Sequence, residues 1–471
     1  MDGRITKKQL KALLSEDIEA VLEEVVEAMN QARPGSIIDD SEELVRVAAG
    51  RFRRRLFEKA LELRSHCEAF PPPPTPESTK VRWRNKGTQT IRVTTVNGPV
   101  AIRRRVYWAN QHGCCAPLDT WLGLTQRYSQ GVREMVTRLG LDSSYRKAAE
   151  DLRRLAQIGL SYQTFREVFQ REGQKVRQAQ RTEAYGPTFT AQDCRRRPSD
   201  PTCLITGADG FHVPLITDQE QRKRRENAKR RRQRLRRQGH RLKALPPRPR
   251  GADQKWKEAK LVTFYDPGNH RRYTAATTGN HQALGRLMRH HAAQLQLDKA
   301  DRKYSVTDGA DWIRNQYRQQ LPMLDAMILD YYHLRDQTIA CAKTLYGEGT
   351  DEASEWRKAL CATLRESGPV EAVTELGLLA KTRRGHKRQA LLKLQAYIGK
   401  RVDMLDYPRF LAEDFQIGSG PTEAQCKCLT ARLKGRGRRW NRSGIEAHLA
   451  ISCLYHNPKQ WTTYWPKANV P

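Results

Sequence analysis

The chain has 471 residues, of which 85 are Lys or Arg and 52 are Asp or Glu, so its formal net charge at pH 7 is +33. A hydrophobic share of 38% is enough to build packed cores, which excludes a disordered chain, and the length predicts two to four domains. So large an excess of positive charge would repel itself without a polyanionic partner, and nucleic acid is the natural one. A membrane is the weaker candidate, because the sequence has no apolar run of spanning length and its first residues do not resemble a signal peptide. We therefore expect a cytoplasmic, nucleoid-associated protein.

Residues 1–70 are predicted to form a helical N-terminal region. Apolar residues repeat at helical spacing over 18–29, and a second helix is expected over 41–63. These helices serve either internal packing or oligomerisation, and the pattern leaves both roles open. The proline tract at 71–76 cannot continue a helix and is expected to be a stiff linker.

A small β module is predicted with this linker in residues 71–128. From residue 80 to 108 the hydrophobic period becomes two, and Asn97-Gly98 between the alternating runs predicts a β-hairpin. The hairpin is rich in arginine at 103–105. Those side chains either contact the DNA backbone or belong to a solvated sheet face.

The ten cysteines are scattered without a regular framework, which favours buried thiols over disulfides in a reducing compartment. Five possible zinc ligands flank the β module, although no CxxC pair accompanies them: His66, Cys67, His112, Cys114 and Cys115. They could form a collapsed zinc site, but ordinary thiols and surface histidines are the favoured interpretation. We therefore do not expect structural Zn²⁺.

Residues 129–185 are predicted to form a helix-turn-helix-like DNA-binding region. Two helical patterns, over 130–140 and 145–156, precede a turn that contains glycine, and Ser161 is a suitable N-cap for a third helix. In such an arrangement the third helix enters the major groove. Its exposed positions would be Gln163, Thr164 and Arg166. A helical hairpin that only packs is an equally good interpretation.

Residues 219–258 are predicted to form a basic arm that interrupts the strand pattern. Within 221–250 lie fifteen Lys or Arg residues and one acid, Glu226. Few apolar side chains accompany them, so we expect a mobile arm that is helical only when bound and that neutralises phosphates without reading sequence. A solvated charge run is the ordinary alternative, but the density and single sign of the charge favour nucleic acid. The arginines expected to contact DNA are Arg222, Arg224, Arg225, Arg230, Arg231 and Arg232.

Residues 195–471 are predicted to form an α/β domain. One apolar strand ends at Asp209-Gly210, and another ends at Asp308-Gly309. Further strands are expected at 261–265, 272–277 and 327–332, helices over 281–297 and 312–320, and a mostly helical insertion over 335–415. The glycines of Gly418-Ser-Gly420 then break the chain, and the proline after them suits the first turn of a helix that carries Glu423.

Three carboxylates thus stand at positions that a sheet can bring together, with Asp209 and Asp308 at strand ends and Glu423 in a first helical turn. Crowded carboxylates cannot all stay ionised unless they hold cations, and oxygen ligands suit Mg²⁺, with Mn²⁺ as an alternative. Two such ions beside a phosphodiester activate the attacking oxygen and stabilise the leaving one, which is what cutting and rejoining DNA needs. For any single one of these acids, a surface turn residue is the simpler interpretation.

Several distinctive stretches accompany these acids: Asp209-Gly-Phe-His-Val-Pro-Leu215, Trp256-Lys-Glu-Ala-Lys260, Thr307-Asp-Gly-Ala-Asp-Trp-Ile313, Leu329-Asp-Tyr-Tyr-His-Leu334, Gly418-Ser-Gly-Pro-Thr-Glu423, Arg439-Trp440 and Ala116-Pro-Leu-Asp-Thr-Trp-Leu-Gly-Leu124. In these stretches and in the order of its elements, the chain resembles the ribonuclease-H-like core of DDE transposases. More closely, it resembles a group of bacterial insertion-sequence transposases over roughly residues 80–455. Relatives of this group often carry paired CxxC motifs that form a zinc ribbon, and this chain lacks them.

The resemblance implies the metal ligands Asp209, Asp308 and Glu423. Asp311 competes for the second place, but it is expected to start the following helix instead. Asp330 and His333, which are predicted to lie on the strand after Asp308, would support the centre without binding the metal.

A second basic cluster is predicted beside the Glu423 helix and is expected to contact DNA: Lys427, Arg432, Lys434, Arg436, Arg438, Arg439 and Arg442. A solvated lysine is an equally good interpretation of Lys427. Gly435 and Gly437 would let the backbone approach a phosphate closely. Trp440 either stacks on a base or simply packs.

The resemblance implies a transposase that acts on double-stranded DNA. The helix-turn-helix and the β module would bind element ends, the core would nick DNA and let the freed 3′-hydroxyl attack a target phosphodiester, and synapsis would need at least a homodimer. Two alternatives remain open, a nuclease of the same fold without strand transfer and a domesticated, non-catalytic DNA-binding regulator. The expected fold is α/β, a ribonuclease-H-like mixed sheet with a helical insertion, preceded by helical, small β and helix-turn-helix-like modules.

Overall fold

The computed structural model describes residues 5–65, 81–110, 112–182, 184–195 and 197–466. It divides into two compact units, Met1–Phe169 and Gln170–Pro471. The strands are β1 (Arg84–Thr95), β2 (Gly98–Ala109), β3 (Gly113–Cys115), β4 (Cys203–Pro214), β5 (Trp256–Tyr265), β6 (Arg272–Thr277), β7 (Arg302–Thr307) and β8 (Ala326–Leu329). The helices are α1 (Lys7–Gln31), α2 (Ile37–Arg64), α3 (Pro117–Trp121), α4 (Gln130–Asp142), α5 (Tyr145–Ala156), α6 (Tyr162–Arg181), α7 (Asp218–Arg237), α8 (His281–Gln294), α9 (Asp311–Gln320), α10 (Tyr331–Tyr346), α11 (Asp351–Glu366), α12 (Pro369–Thr382), α13 (Gly385–Gly399), α14 (Tyr407–Ala412), α15 (Gly420–Thr430), α16 (Arg442–Tyr455) and α17 (Pro458–Tyr464).

The first unit begins with a helical hairpin of α1 and α2, and two helices were predicted there. Leu14 and Ala28 of α1 and Ala48 of α2 are buried, so small and apolar residues allow the two helices to approach. The second helix starts at Ile37 rather than at position 41. Ser41 lies inside it, because the Ser41 hydroxyl donates to the Ile37 carbonyl oxygen at 2.6 Å.

β1 and β2 form the predicted antiparallel hairpin, and the short β3 extends it beyond β2. Thr95 pairs with Gly98, so the two-residue loop is Val96-Asn97, one residue earlier than the predicted Asn97-Gly98 turn. Gly98 follows the loop with a φ of +106°, which favours glycine. The core beneath this sheet contains Val93, Val100, Ile102 and Leu118. The proline tract at 71–76 and His66-Cys67 lie outside the described residues.

α4, α5 and the start of α6 confirm the predicted succession of helices and turn. α5 is followed by Gln157, whose φ of +59° reverses the chain, and the Ser161 side chain caps the first turn of α6. The ring of Tyr145 on α5 lies against those of Phe165 and Phe169 on α6. The role of this region in DNA binding stays a prediction.

A five-stranded mixed sheet is the centre of the second unit, with the strand order β6-β5-β4-β7-β8. β4, β5 and β6 are antiparallel neighbours, whereas β7 pairs in parallel with β4 and β8 in parallel with β7. Parallel neighbours need a long connection, which α8 supplies before β7 and α9 before β8. The prediction of an α/β class is confirmed.

The side chains of β4 alternate between two cores on opposite faces of the sheet. Leu204 and Ala208 belong to a core with residues of α8 and α9, such as Leu284. Ile205 belongs to the other core, which the insertion helices complete with residues such as Phe410. The insertion predicted over 335–415 is indeed helical, and it covers one face of the sheet.

β4 does not stop at Asp209 as predicted. It pairs with β5 as far as Pro214, although its pairing with β7 ends at Thr206. The glycines at 207 and 210 resemble a strand exit in the sequence, but the antiparallel partner continues the strand. Asp209 therefore lies where β4 has no paired residue on its β7 side.

The placement of Asp330 and His333 on a strand is also wrong. β8 ends at Leu329, and both residues belong to the start of α10. The reason is the capping ability of Asp330, whose Oδ1 accepts the backbone N–H of Tyr332 at 2.6 Å. By contrast, α9 begins at Asp311 as predicted.

α7 contradicts the prediction that the basic arm is helical only when bound. It is a helix of 20 residues whose N-cap Thr217 forms a capping box with Glu220. Lys, Arg, Gln and Ala all favour a helix, which explains why the segment folds this way. The arm is also shorter than 219–258, because β5 begins at Trp256. In the parts of the chain that the structure describes, no helix has the length and apolar character needed to cross a bilayer.

Candidate metal centre

Asp209 lies on the face of β4 that α15 covers. Residues two apart on a strand share a face, so Asp209 and Gly207 point to the same side of the sheet. A Cβ atom on Gly207 would clash with the Thr422 hydroxyl, so glycine is what lets α15 approach β4. Glu423, the next residue of α15, is thereby brought to the side of the sheet on which Asp209 lies.

Asp308 follows β7 directly and occupies a largely buried turn. Its Oδ1 accepts the backbone N–H of Ala310 at 2.9 Å. Burial raises the pKa of Asp308 above its ordinary value, and the charge of nearby Asp209 raises it further, whereas the Ala310 hydrogen bond, His333 and Arg401 lower it. Asp209 and Asp308 are therefore close enough to feel each other's charge. A carboxyl group in this setting is stabilised as an anion by a bound cation.

Arg401 braces the turn that follows Asp308. Its Nε donates to the Gly309 carbonyl oxygen at 3.0 Å, and its NH2 lies 3.8 Å from the Asp311 carboxylate. The guanidinium also stacks over the Tyr397 ring, 4.2 Å from its centroid. Arg401 comes from the far end of the helical insertion. The sequence does not reveal its role, because a lone arginine after a helix carries no motif.

Glu423 lies in the first turn of α15, which has proline near its start. Its carboxylate lies 3.9 Å from His333 Nε2 and 3.4 Å from Lys427 Nζ. The N-terminus of a helix also favours a negative charge. Lys427 is exposed and remains compatible with either of its predicted roles, a phosphate contact or a solvated lysine.

Asp330 connects α10 to the loop that begins α15. The residue is fully buried. Its Oδ1 accepts the Tyr332 N–H, and its Oδ2 accepts both the Ser419 N–H, at 2.8 Å, and the Ser419 hydroxyl. The Tyr331 N–H donates to the Ile417 carbonyl oxygen at 2.9 Å, so the same corner is held twice. Asp330 thus fixes where α15 starts, and thereby where Glu423 lies.

His333 was expected only to support the metal site, but its ring lies close enough to Glu423 to be a possible ligand itself. Asp330, His333 and Glu423 are the one set of three possible metal-ligating side chains in the described ranges whose ligand atoms all lie within 4.8 Å of one another. Both oxygens of Asp330 already accept hydrogen bonds, so His333 and Glu423 offer the more available ligand atoms. Asp209 and Asp308 fall outside this tight set.

Cys426 is a member of the site that sequence analysis missed. It lies one residue before Lys427 on α15, and its thiol is a hydrogen-bonding neighbour of the Asp209 carboxylate. Burial, followed by the charge of Asp209, raises the pKa of the Cys426 thiol to about 12, so the thiol stays protonated. Its spacing of three residues from Glu423 on one helix is the signal that could have revealed it.

The basic loop after α15, residues 431–441, is only partly available to DNA. Trp440 is buried, its indole N–H donates to the Leu433 carbonyl oxygen at 3.1 Å, and the Arg432 guanidinium lies 5.0 Å from its ring centroid. For Trp440 the packing alternative holds, and Arg432 is buried with it, so the predicted DNA contacts of these two side chains are corrected. The exposed basic residues of the loop are Lys434, Arg436 and Arg439, and Arg438 is half-buried.

The other predicted DNA contacts are exposed to different degrees. Gln163 and Arg166 of α6 are exposed, whereas Thr164 is half-buried and its hydroxyl lies 2.9 Å from that of Ser161. Thr164 therefore takes part in capping its own helix. Four of the six predicted arginines of the arm are exposed: Arg222, Arg224, Arg230 and Arg231. The other two, Arg225 and Arg232, donate hydrogen bonds to backbone carbonyls within the arm.

Cys114 and Cys115 lie on β3, the first exposed and the second half-buried. His112 precedes them, and its ring centroid lies 6.0 Å from that of Trp83. Because His66 and Cys67 lie outside the described residues, the expectation that these side chains do not hold structural Zn²⁺ stays a prediction.

One family matches part of the chain. The model of an uncharacterised protein family, UPF0236, matches residues 76–243. The match covers the β module, the predicted helix-turn-helix, Asp209 and most of the basic arm, but neither Asp308 nor Glu423. A search of curated proteins found no match to the chain.

Proposed function

We propose that the protein is a DNA transposase that uses divalent metal ions to cleave element ends and to join their 3′-hydroxyls to target DNA. The proximity of Asp209 to Asp308 and to the Glu423 helix supports this proposal. The acids lie far apart in the sequence, yet Asp308 feels the charge of Asp209, and Cys426 on the Glu423 helix is a hydrogen-bonding neighbour of Asp209. Neighbouring carboxylates repel one another unless a cation balances their charge.

The topology of the second unit supports a ribonuclease-H-like core. Three antiparallel strands precede two parallel ones, the first strand lies at the centre, and a helical insertion separates β8 from α15. The acids occupy the first strand, the turn after the fourth strand and the helix that follows the insertion. The resemblance to DDE transposases requires the same order of elements and acids.

The residues present fit Mg²⁺ or Mn²⁺. The donors are carboxylate oxygens with one imidazole beside them, which is the chemistry that hard and borderline divalent ions prefer. The raised pKa of Asp308 shows that the site disfavours uncompensated negative charge. Asp209, Asp308 and Glu423 would hold the metal, which would supply activation of the attacking oxygen and stabilisation of the leaving oxygen of the phosphodiester.

The chain's own residues position these ligands. Arg401 holds the backbone turn beside Asp308, and Asp330 holds the start of α15 and with it Glu423. The exposed Lys427 lies one turn beyond Glu423, where its ammonium group can reach a phosphate oxygen. Exposed arginines of the basic loop and of α7 lie in the same unit and supply charge for the DNA backbone.

A cleavage and strand-transfer assay tests the proposal. The full-length protein is incubated with Mg²⁺ or Mn²⁺, a supercoiled target plasmid, and linear DNA that carries the sequences bordering its own gene. We expect nicks at two boundary positions and covalent joining of the new 3′ ends to the plasmid. The variant Asp209→Asn is the control and should give neither product.

Two other outcomes would replace the proposal. Cleavage that depends on Asp209 but is never followed by joining would indicate a nuclease of the same fold. DNA binding without metal-dependent cleavage, unchanged in Asp209→Asn, would indicate a non-catalytic regulator. Joining would also require two ends in one complex, so the active species should be at least a dimer.

A further inference from the structure

The basic arm has a defined fold that the proposed cleavage chemistry does not require. It consists of α7 and of a return segment, residues 238–252, that runs back along the helix. Arg225 and Arg232 donate to backbone carbonyls of the return segment. At the base of the arm, the Gly251 N–H donates to Asp218 Oδ1 at 2.7 Å. One side of α7 is therefore held against the return segment, and the opposite side is exposed.

One stripe of α7 faces the return segment, and α7 has no fully buried residue. The half-buried positions that form this stripe are Gln221, Arg225, Ala228, Arg232 and Leu235. Their spacing of three or four residues keeps them on one face of the helix. A helix with so little apolar contact is not shaped by a core within the chain.

The remaining surface of α7 is positively charged on all sides. Its exposed basic residues are Arg222, Lys223, Arg224, Lys229, Arg230, Arg231, Arg234, Arg236 and Arg237. At 3.6 residues per turn they cover an arc of about 240° around the helix axis. A single row of phosphates can face only one side of a helix, so it would leave much of this arc without an anionic partner.

We propose that α7 lies in the major groove of double-stranded DNA, with one row of phosphates along each flank and the return segment facing outward. The major groove is about 12 Å wide and admits an α-helix. The 20 residues of α7 span about 30 Å, close to the roughly 34 Å of one helical turn of duplex DNA. Contacts to phosphates dominate, so the arm binds without strong sequence preference. This inference rests on the proposed function, which supplies DNA as the partner.

The base of the arm is joined to the elements that carry the candidate metal centre. α7 starts shortly after the end of β4, the strand of Asp209. Arg439 of the basic loop lies 3.0 Å from the Glu220 carboxylate, and the backbone N–H of Trp440 donates to the Pro214 carbonyl oxygen at 3.0 Å. DNA held by the arm is therefore placed at a set distance from Asp209 and Glu423.

Two triple variants on opposite flanks of α7 test the groove geometry. The first is Arg222→Gln, Lys229→Gln and Arg236→Gln, and the second is Arg224→Gln, Arg231→Gln and Arg234→Gln. Glutamine favours a helix about as well as Lys and Arg, so α7 should persist. Affinity for a random 30-base-pair duplex is measured by fluorescence anisotropy over a range of KCl concentrations. We expect each triple variant to reduce the slope of log K against log [KCl] by about 2 to 3, because each phosphate contact contributes about 0.9.

The control variant Lys7→Gln, Lys8→Gln and Lys11→Gln removes three exposed charges from α1 and should leave the slope within error of the wild type. If only one triple variant reduces the slope, α7 contacts a single phosphate row, and the groove assignment is overturned. If neither triple variant reduces the slope, the arm does not contact DNA. Duplex RNA has a deep, narrow major groove, so equal binding of RNA and DNA would also overturn it. Asp209→Asn should keep the full slope while losing cleavage, so a failure of the arm assignment is distinguishable from a failure of the proposed chemistry.

Discussion

The candidate metal centre draws its residues from four distant stretches of chain, whereas the basic arm is one continuous stretch. Asp308 feels the charge of Asp209, and Asp330 and Glu423 lie within one small cluster, only because their separate strands and helices pack together. The arm carries its charge in consecutive residues, and any fold that exposed them would present a basic surface. The centre therefore depends on tertiary packing, and the arm depends mainly on local sequence.

This difference predicts how the two regions respond to substitution. A change in the centre should act through single, irreplaceable side chains and should leave DNA binding intact. A change in the arm should act in proportion to the charge removed and should leave the chemistry intact once DNA is bound. Each experiment below tests whether the two regions separate in this way.

The largest effect is expected for the three carboxylates. Asp209→Asn, Asp308→Asn or Glu423→Gln should each lower the rate of metal-dependent DNA cleavage by about a thousand-fold or more, since loss of a metal ligand removes several kcal/mol of transition-state stabilisation. The affinity for DNA should change little. Single-turnover cleavage and anisotropy on the same preparations measure both. If the variants cleave normally, the metal centre is assigned to the wrong residues.

The second effect concerns Asp330, which holds α15 in place. Asp330→Asn keeps the shape but leaves at least one of the three donors at this carboxylate without an acceptor, so we expect unfolding to become easier by about 1–3 kcal/mol. Because Glu423 shifts with α15, the Mg²⁺ concentration needed for half-maximal cleavage should also rise. The exposed Asp336 on the same helix provides the control variant Asp336→Asn. An equal change in both variants would mean that Asp330 has no positioning role.

A smaller effect is expected for Arg401. Arg401→Gln removes the contacts to Gly309 and Asp311 and should raise the Mg²⁺ requirement by about tenfold, the lower end of what residues that orient metal ligands contribute. Lys400→Gln changes an exposed neighbour and serves as the matched control. DNA affinity at saturating Mg²⁺ should be the same for both. A loss of DNA affinity in Arg401→Gln would instead place Arg401 on the DNA-binding surface.

The smallest effect on cleavage and on DNA binding is expected for His291, which lies in neither region and is buried against Tyr273 of β6. Burial lowers the pKa of His291 to about 4. Between pH 6.5 and about 4, this histidine is therefore protonated in the unfolded chain but neutral in the folded chain. Stability should therefore fall as the pH falls through this window, by up to about 3 kcal/mol from this residue. His291→Gln should flatten the dependence of the denaturation midpoint on pH over that range. An unchanged pH profile would show that other groups control acid unfolding.

Sequence patterns predicted the elements that carry Asp308 and Glu423 better than the side chains around these acids. Asp308 and Glu423 were recognisable because a strand end and a Gly-Ser-Gly-Pro helix start have local signatures. Arg401 and Cys426 were not, because their roles follow from which helix faces which loop. Asp330 was placed on a strand, since the apolar run before it does not reveal that its carboxylate caps a helix. In the sequence, Trp440 and Arg432 resemble surface residues of a basic loop. Both are buried, because the backbone of Trp440 pairs with the end of β4 and Arg432 packs on the Trp440 ring.

The arm shows the opposite kind of error. Its charge was evident, yet its conformation was expected to depend on binding because charged residues bury little surface. The local signals for a helix, a capping box at Thr217 and a run of good helix formers, were present in the sequence. Helix propensity and the contacts with the return segment together explain why α7 is helical without bound DNA. The conformation of the arm could therefore have been predicted from its capping box and helix propensity, although its charge alone did not indicate a helix.

The central claim is that Asp209, Asp308 and Glu423 share a divalent metal site, and iron-directed cleavage of the protein tests it without any knowledge of the DNA substrate. Fe²⁺ is added with ascorbate and peroxide to the full-length protein, and the hydroxyl radicals formed at bound iron cut the nearby backbone. We predict cuts near residues 209, 308 and 423 that excess Mg²⁺ suppresses and that Asp308→Asn abolishes. Cuts that are absent from these positions, or that persist unchanged in Asp308→Asn, would contradict the assignment.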